Sequence, residues 1–213
     1  MNMETIVKIE KSVSRKLPII STILPNHKEL NDYLKKVIIE HRENNPKSNV
    51  SNVKSWHSSY YTHTENLKFK PIVDTILNMG EFISNGMYST KGELMVTEFW
   101  AAMYEKGEYT IPHTHHPSNF ACTYYVDVEN GCSPIVFGED RFDETGECEK
   151  FSITPKNGML LMWPGILSHE VPPTDTKRIL VAANLITFYR VGDPPYGDAT
   201  KFPLNPSLSQ DRS

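Results

Sequence analysis

Cysteine is scarce in this chain: Cys122, Cys132 and Cys148 are the only three among 213 residues. The count is odd and no CxxC spacing occurs, so the sequence offers neither a disulfide framework nor a thiolate zinc site. Free thiols in a reducing cytoplasm are expected. Cys122, inside a strand-like run, reads as a small core residue rather than a nucleophile. Long apolar runs are missing too. None approaches the roughly 20 residues a membrane helix needs, and residues 1–7 show neither the basic start nor the apolar run of a signal peptide. Positive charge is not in excess: 22 Lys and Arg face 26 Asp and Glu, a net charge of −4. No basic patch suggests nucleic acid. There is no internal repeat and no low-complexity segment. These absences leave one domain of ordinary size, with 38% hydrophobic and 10% aromatic residues to build a core. They point to a cytoplasm, with neither membrane nor nucleic acid as partner.

What is present changes character along the chain. Residues 6–9 and 17–24 read as two short strands, Pro18 suiting a strand start or edge. Residues 27–42 carry Leu30, Tyr33, Leu34, Val37 and Ile38 at helical spacing, after Asn26 as N-cap. A second helix is expected over 69–84, burying Ile72, Ile76, Met79, Phe82 and Ile83 and closed by Asn85 and Gly86. From Gly92 onward short strands take over: 94–103, 120–128, 133–137, 148–153, 158–163, 168–171 and 178–190. A charged loop covers 138–146. Strands at this spacing, with turn residues in every gap, predict a β-sandwich, jelly roll or barrel with the two helices packed outside it. Residues 191–213 read as an irregular tail.

Residues 111–128 organise the rest. They begin with His113, His115 and His116 and run into a strand. In an extended backbone His113 and His115 point one way and His116 the other. Neutral imidazole is the commonest metal ligand, and two on one face can grip one ion. His169, far along the chain, is the natural third. His116 in place of His115, or a nearby carboxylate, are the alternatives. With ordinary histidine values near ~6.5, metal affinity is expected to drop between about pH 7 and 5.

Residues 168–171 and 178–184 are joined by a Pro-Pro turn signal at 172–175. Paired as a hairpin, they would bring Arg178 close to His169. Alternation puts Arg178, Leu180, Ala182 and Asn184 on one face, which has the character of a pocket wall. Ile179, Val181, Ala183 and Leu185 form a wholly apolar face, expected to fill the core between sheets. An arginine grips a carboxylate through two parallel hydrogen bonds. A three-ligand metal beside such an arginine describes a site for a chelating keto acid.

The order of Trp56, Ser58, His113, His115, Tyr124, Tyr125, Phe137, Pro155, Gly158, Trp163, Pro164, Ser168, His169, Arg178 and Asn184 resembles the iron(II)/2-oxoglutarate-dependent oxygenase superfamily. The likeness spans about 50–190 and is strongest to a group of oxygenases found in marine bacteria and phages. It implies a mainly β fold, a double-stranded β-helix (a cupin-like jelly roll) with two flanking N-terminal helices. Residues 1–213 would form one domain, with helical support over about 26–86, a jelly-roll core over about 92–190 and the tail at 191–213. It implies Fe(II) on His113 and His169, to which the parity of residues 113–115 adds His115 as third ligand, and 2-oxoglutarate held at its far carboxylate by Arg178, nine residues after His169. Tyr124 and Asn184 are further candidates for binding the cosubstrate. Trp56, His57 and His63 are candidates for a substrate entrance, while Trp100 and Trp163 read as core.

Two departures stand out. Most of the superfamily has His-x-Asp or His-x-Glu, where this chain has His113, Thr114 and His115; a neutral ligand replaces a charged one. Many relatives also have Ser or Thr two residues after the arginine, where Leu180 stands here. The expected activity is a dioxygenase, an oxidoreductase that hydroxylates a small molecule or peptide with O2 and releases succinate and CO2. A homodimer is the candidate assembly. The alternatives are a cupin-like metalloenzyme that uses no keto acid, for which three histidines suffice and Arg178 has no purpose, and a non-catalytic metal-binding β-sandwich module.

Overall fold

A computed structural model describes residues 8–9, 18–47, 53–87, 92–138 and 150–188. The expected loop at 138–146, the ends of the strands at 148 and 190, and the tail lie wholly or largely outside the described residues, as do the side chains closing the second helix.

Among the described residues, twelve strands form two antiparallel sheets. They are β1 (Lys8–Ile9), β2 (Ile20–Ile23), β3 (Val53–Lys54), β4 (Trp56–His57), β5 (Glu93–Tyr104), β6 (Tyr109–His113), β7 (Phe120–Val128), β8 (Ile135–Phe137), β9 (Phe151–Ile153), β10 (Met159–Pro164), β11 (His169–Val171) and β12 (Arg178–Phe188). The larger sheet runs β1-β2-β10-β7-β12-β5-β4 and the smaller β3-β6-β11-β8-β9. From β5 to β12 the chain passes from one sheet to the other at every step except the β8–β9 pair, as in a jelly roll. Helices α1 (His27–Asn44) and α3 (Lys70–Met87) flank the larger sheet; a short α2 (Thr62–Glu65) lies between them in sequence.

Each helix forms because its apolar residues recur on one face. Leu34, Val37 and Ile38 of α1 and Ile72, Ile76 and Ile83 of α3 are all buried. Each contributes roughly 1.5–3 kcal/mol by leaving water. Phe82 is 63% exposed and does not join them. Asn26 does stand at the start of α1, but its side chain makes no cap hydrogen bond; it adopts the left-handed conformation (φ 58°) instead, which Asn tolerates better than most residues.

The core has two compartments. One contains α1 and α3 residues with Phe99, Ala101, Tyr124, Val126, Val181, Ala183 and Leu185. The other joins Trp100, Ala102, Tyr104, Tyr125, Trp163, Leu180 and Ala182 of the larger sheet to Ile135, Phe137, Ile153 and Val171 of the smaller. The wholly apolar face of β12 thus meets the helices, contrary to the expectation that it fills the gap between sheets. The helices bury the outer face completely, so it is the drier one. The inner face must also line a cavity, so it carries the polar residues.

Residues 168–184 are not a hairpin. β11 pairs with β6 and β8, and β12 pairs with β5 and β7. The Pro-Pro segment carries the chain from one sheet to the other, and neither Pro172 nor Pro173 has an N–H with which to hold a ladder. His169 and Arg178 therefore face each other's sheet.

Candidate metal centre and ligand cavity

The pairing of β6 with β11 sets His113 directly opposite His169. A cross-strand pair of this kind brings side chains close enough to share a ligand. His115 arrives differently. β6 ends at His113, so strand alternation does not place His115. Its loop is pinned to the turn after β10: His115 N–H donates to the Gly165 carbonyl (2.7 Å) and Gly165 N–H to the Asn119 carbonyl (3.0 Å). His116 is exposed and stands outside the cluster.

The ligand atoms of His113, His115 and His169 all lie within 4.8 Å of one another, and among the described residues no carboxylate joins them. The His115 and His169 Nε2 atoms are 3.4 Å apart, a separation two nitrogens bound at about 2.1 Å to one ion can span. His113 Nδ1 donates to the Ile111 carbonyl at 2.9 Å, which leaves its Nε2 lone pair free for a metal. The donor set fits a divalent ion such as Fe(II), with a net charge higher than a carboxylate-bearing site would give.

Burial keeps these imidazoles neutral. His115 is pushed down to about 3 by burial and by the neighbouring His113. His169 is held well below the ordinary value by burial first, then by His113 and His115. His113 is lowered by burial against the opposing hydrogen bond to Ile111. Lowered values keep the lone pairs available to lower pH, so metal loss on acidification should begin below about pH 6.5 rather than at it. In the metal-free protein the unfolded chain binds more protons than the folded one over that interval. Its stability should therefore fall as pH drops from about 6.5 through the lowered folded values. Thermal denaturation of metal-free protein at pH 7, 6, 5 and 4 checks this; a constant midpoint would refute it.

Gly165 is a structural requirement of this arrangement. A Cβ there would collide with the Ser118 carbonyl oxygen, a backbone atom that cannot turn aside. Gly165→Ala should push the 115–119 loop away, costing at least about 1–3 kcal/mol as an overpacked site and weakening metal binding through His115. Calorimetry with Mn(II) on the folded variant reads the effect; parent-like affinity would show that the loop yields elsewhere.

Between the sheets lies a cavity of about 650 Å³ lined by the three histidines and by Tyr104, Thr110, Tyr125, Arg178, Leu180, Ala182 and Asn184, among others. Arg178, Leu180, Ala182 and Asn184 all share its wall. Arg178 is 1% exposed. Its guanidinium carbon lies 4.2 Å from the Tyr104 ring centroid, and Nη1 donates to the Ser133 carbonyl at 3.2 Å. Nε and Nη2 are buried without any partner. No carboxylate among the described residues pairs with Arg178. An unpaired buried cation is costly, and two free donors on one guanidinium are the fork a carboxylate fills.

Tyr124, expected to bind the cosubstrate, faces the helices instead. Its hydroxyl donates to Asn31 Oδ1 at 2.5 Å, and the ring sits in the helix-side compartment, so it does not reach the cavity. Tyr125 does, close enough that the Arg178 charge opposes the rise burial imposes on its phenol. The two differ only in strand parity, and the sequence does not say which face the helices cover. Trp56 and His63 also miss the cavity: Trp56 Nε1 donates to the Asn45 carbonyl, and His63 packs near Phe99. His57 lines it, with Tyr60 and Tyr61.

Trp100 and Trp163, read as core, are cavity walls as well. Trp163 Nε1 is buried without a partner, with its ring 4.9 Å from that of His169. Hydroxyls missing at position 180 come from other strands: the Tyr104 and Thr110 hydroxyls, 2.6 Å apart, line the Arg178 end. Glu98 was missed altogether. The signal was its place two residues before Trp100, on the same face of β5.

Among the described residues, no helix is long and apolar enough to cross a membrane. Residues 98–184 match a family model described as "Putative 2OG-Fe(II) oxygenase", 2OG being 2-oxoglutarate. No curated protein matches the chain. Several solved structures share its fold. A prolyl hydroxylase from Trichoplax adhaerens, solved with a hypoxia inducible factor peptide fragment, is 14% identical; the match covers 81% of this chain and 84% of that one, with a TM-score of 0.61. The viral collagen prolyl hydroxylase of Paramecium Bursaria Chlorella virus-1, solved with 2OG, is 16% identical over 81% and 96% of the two chains (TM-score 0.51). The carbocyclase SnoK of nogalamycin biosynthesis is 10% identical over 81% and 82% (TM-score 0.60). At these identities the likeness establishes the double-stranded β-helix. The match over residues 98–184 and the histidine cluster make this part of the chain similar to 2OG-Fe(II) oxygenases, on a double-stranded β-helix.

Proposed function

We propose that the whole chain, helical support (26–86) and jelly-roll core (92–190) together, acts as one Fe(II)- and 2-oxoglutarate-dependent dioxygenase that hydroxylates its substrate. The observation that carries this is Arg178: a buried guanidinium with Nε and Nη2 unpartnered, in the same cavity as three converging histidines. His113, His115 and His169 would hold Fe(II). When bound, Fe(II) and 2-oxoglutarate supply the oxidising chemistry, in which O2 is consumed and the keto acid leaves as succinate and CO2.

The protein's own residues do the rest. Arg178 donates to the far carboxylate from Nε and Nη2, its guanidinium held in place by the Tyr104 ring beneath it and the Ser133 carbonyl beside it. Thr110, Tyr104 and Tyr125 offer hydroxyls at that end. Asn184 lines the cavity at the opposite end of the same strand face, six residues from Arg178, and belongs to the substrate side rather than the cosubstrate. Leu180, Ala182, Trp100 and Trp163 exclude water, which strengthens every charge interaction inside. The neighbours whose names include hydroxylases of protein substrates and a carbocyclase leave small molecules and peptides both open as substrate. Free, buried Cys122 and Cys132 suit a cytoplasm, and the proposal includes a homodimer, to be checked by light scattering.

The test is succinate and CO2 release by purified protein with Fe(II), 2-oxoglutarate and O2, with and without candidate substrates. Release that requires Fe(II) and 2-oxoglutarate together is expected. A metal-loaded protein that neither binds nor consumes 2-oxoglutarate would overturn the reading and favour a cupin-like enzyme without a keto acid.

A further inference from the structure

β5 and β12 run side by side through the cavity wall, with Arg178 opposite Tyr104 at one end and Asn184 opposite Glu98 at the other. Six residues separate the ends, about 20 Å along an extended strand. The Arg178 end is closed: Tyr104, Thr110, Tyr125, Ile135 and Leu180 are all buried. The other end is open, with Tyr60 36% and Tyr61 58% exposed. One cavity thus has a cation at its closed end and a carboxylate at its open end.

The open end has an unusual set of polar groups. Asn184 Nδ2 donates to Glu98 Oε2, which orients the carboxylate without neutralising it. Among the described residues no Lys, Arg or His pairs with Glu98. Asn184 is 4% exposed, and its Oδ1 is buried with no partner. Both free groups are acceptors. Around them stand aromatic rings: Tyr60 and Trp100 edge to face at 5.3 Å, His57 stacked on Trp100 at 5.2 Å. His57 lends no positive charge, since burial pushes it down to about 4. Burial and the Glu98 charge together raise the Tyr60 phenol.

We propose that Glu98, Asn184, Tyr60 and Trp100 form a subsite for a cationic nitrogen of the substrate, an ammonium or guanidinium group. The Glu98 carboxylate and Asn184 Oδ1 can only accept, so they select a hydrogen-bond donor. A carboxylate beside aromatic faces selects a positive one. Trp100 also lies 5.9 Å, ring to ring, from His115. A nitrogen seated there therefore leaves the carbons attached to it next to the metal histidines. The proposal rests on the oxygenase reading of this cavity and specifies its substrate.

The test uses anaerobic Fe(II) protein with 2-oxoglutarate bound. Calorimetry compares n-butylamine and n-butylguanidine with n-butanol. It also compares capped Gly-Lys-Gly and Gly-Arg-Gly peptides with their acetyl-lysine and citrulline counterparts. In at least one arm the cationic probe should bind about tenfold or more tighter than its neutral partner; the tighter arm tells whether the cation belongs to a small molecule or a peptide. Glu98→Gln keeps an acceptor for Asn184 and removes the charge, so it should abolish that preference while 2-oxoglutarate still binds at Arg178. Equal binding of neutral probes, no binding of any cation, or an undiminished preference in Glu98→Gln would each overturn the subsite and leave the oxygenase reading standing. Failure of the parent to bind 2-oxoglutarate would overturn both.

Discussion

Arg178→Ala should weaken 2-oxoglutarate binding to the anaerobic Fe(II) protein by about 2–5 kcal/mol, or about 30-fold or more in affinity, as expected for breaking a buried charge pair. The unliganded protein should not suffer in proportion. Arg178 is a buried cation with two unpartnered donors, and such a group costs stability until an anion arrives. The Arg178→Met variant should therefore fold with a melting temperature close to the parent's, yet gain little from added 2-oxoglutarate. The parent should gain about 2.7 kcal/mol at a hundredfold excess over its dissociation constant. Arg178→Lys keeps the charge but not the two-pronged geometry, and should fall between. Pyruvate, which lacks the far carboxylate, should stabilise the parent poorly. Parent-like 2-oxoglutarate affinity in Arg178→Ala would remove the arginine from the ligand site.

The second large effect concerns the histidines. Ala in place of His113, His115 or His169 should each abolish tight binding of Fe(II) or Mn(II), since two imidazoles and no carboxylate make a poor site for these ions. His169→Ala also opens a void between Trp163 and Phe137; His169→Gln retains most of the volume and separates lost ligation from lost packing. If His115→Ala binds metal as tightly as the parent, the third ligand lies elsewhere. A further variant, His115→Asp, restores the superfamily's usual charge. Rescue of binding by that substitution, at lower pH than the parent allows, would show that the position itself is a ligand.

Much of this was legible in the residues. Helical spacing located α1 and α3 to within a few residues, because each buries a single stripe. Two-residue alternation separated the faces of β12, and Arg178, Leu180, Ala182 and Asn184 do share one wall. The histidine cluster was legible as residue types, though not as geometry: His115 is placed by a loop held to Gly165, which strand parity does not describe.

Other features were decided only when the sheets came together. Alternation distinguishes two faces but does not say what covers each. With helices over one face of the larger sheet, both faces are buried, so the wholly apolar one went outward and the polar one inward. The same ambiguity exchanged Tyr124 for Tyr125. Sheet membership is a matter of long-range hydrogen bonding, which put β11 and β12 in different sheets and turned an imagined hairpin into two walls of a cavity. The opposition of Arg178 and Glu98 at its two ends is likewise tertiary. It depends on the register between β5 and β12, set by packing over their whole length. The residue types proposed for metal and carboxylate binding were thus written in the chain, while their convergence on one cavity came from how two sheets close around it.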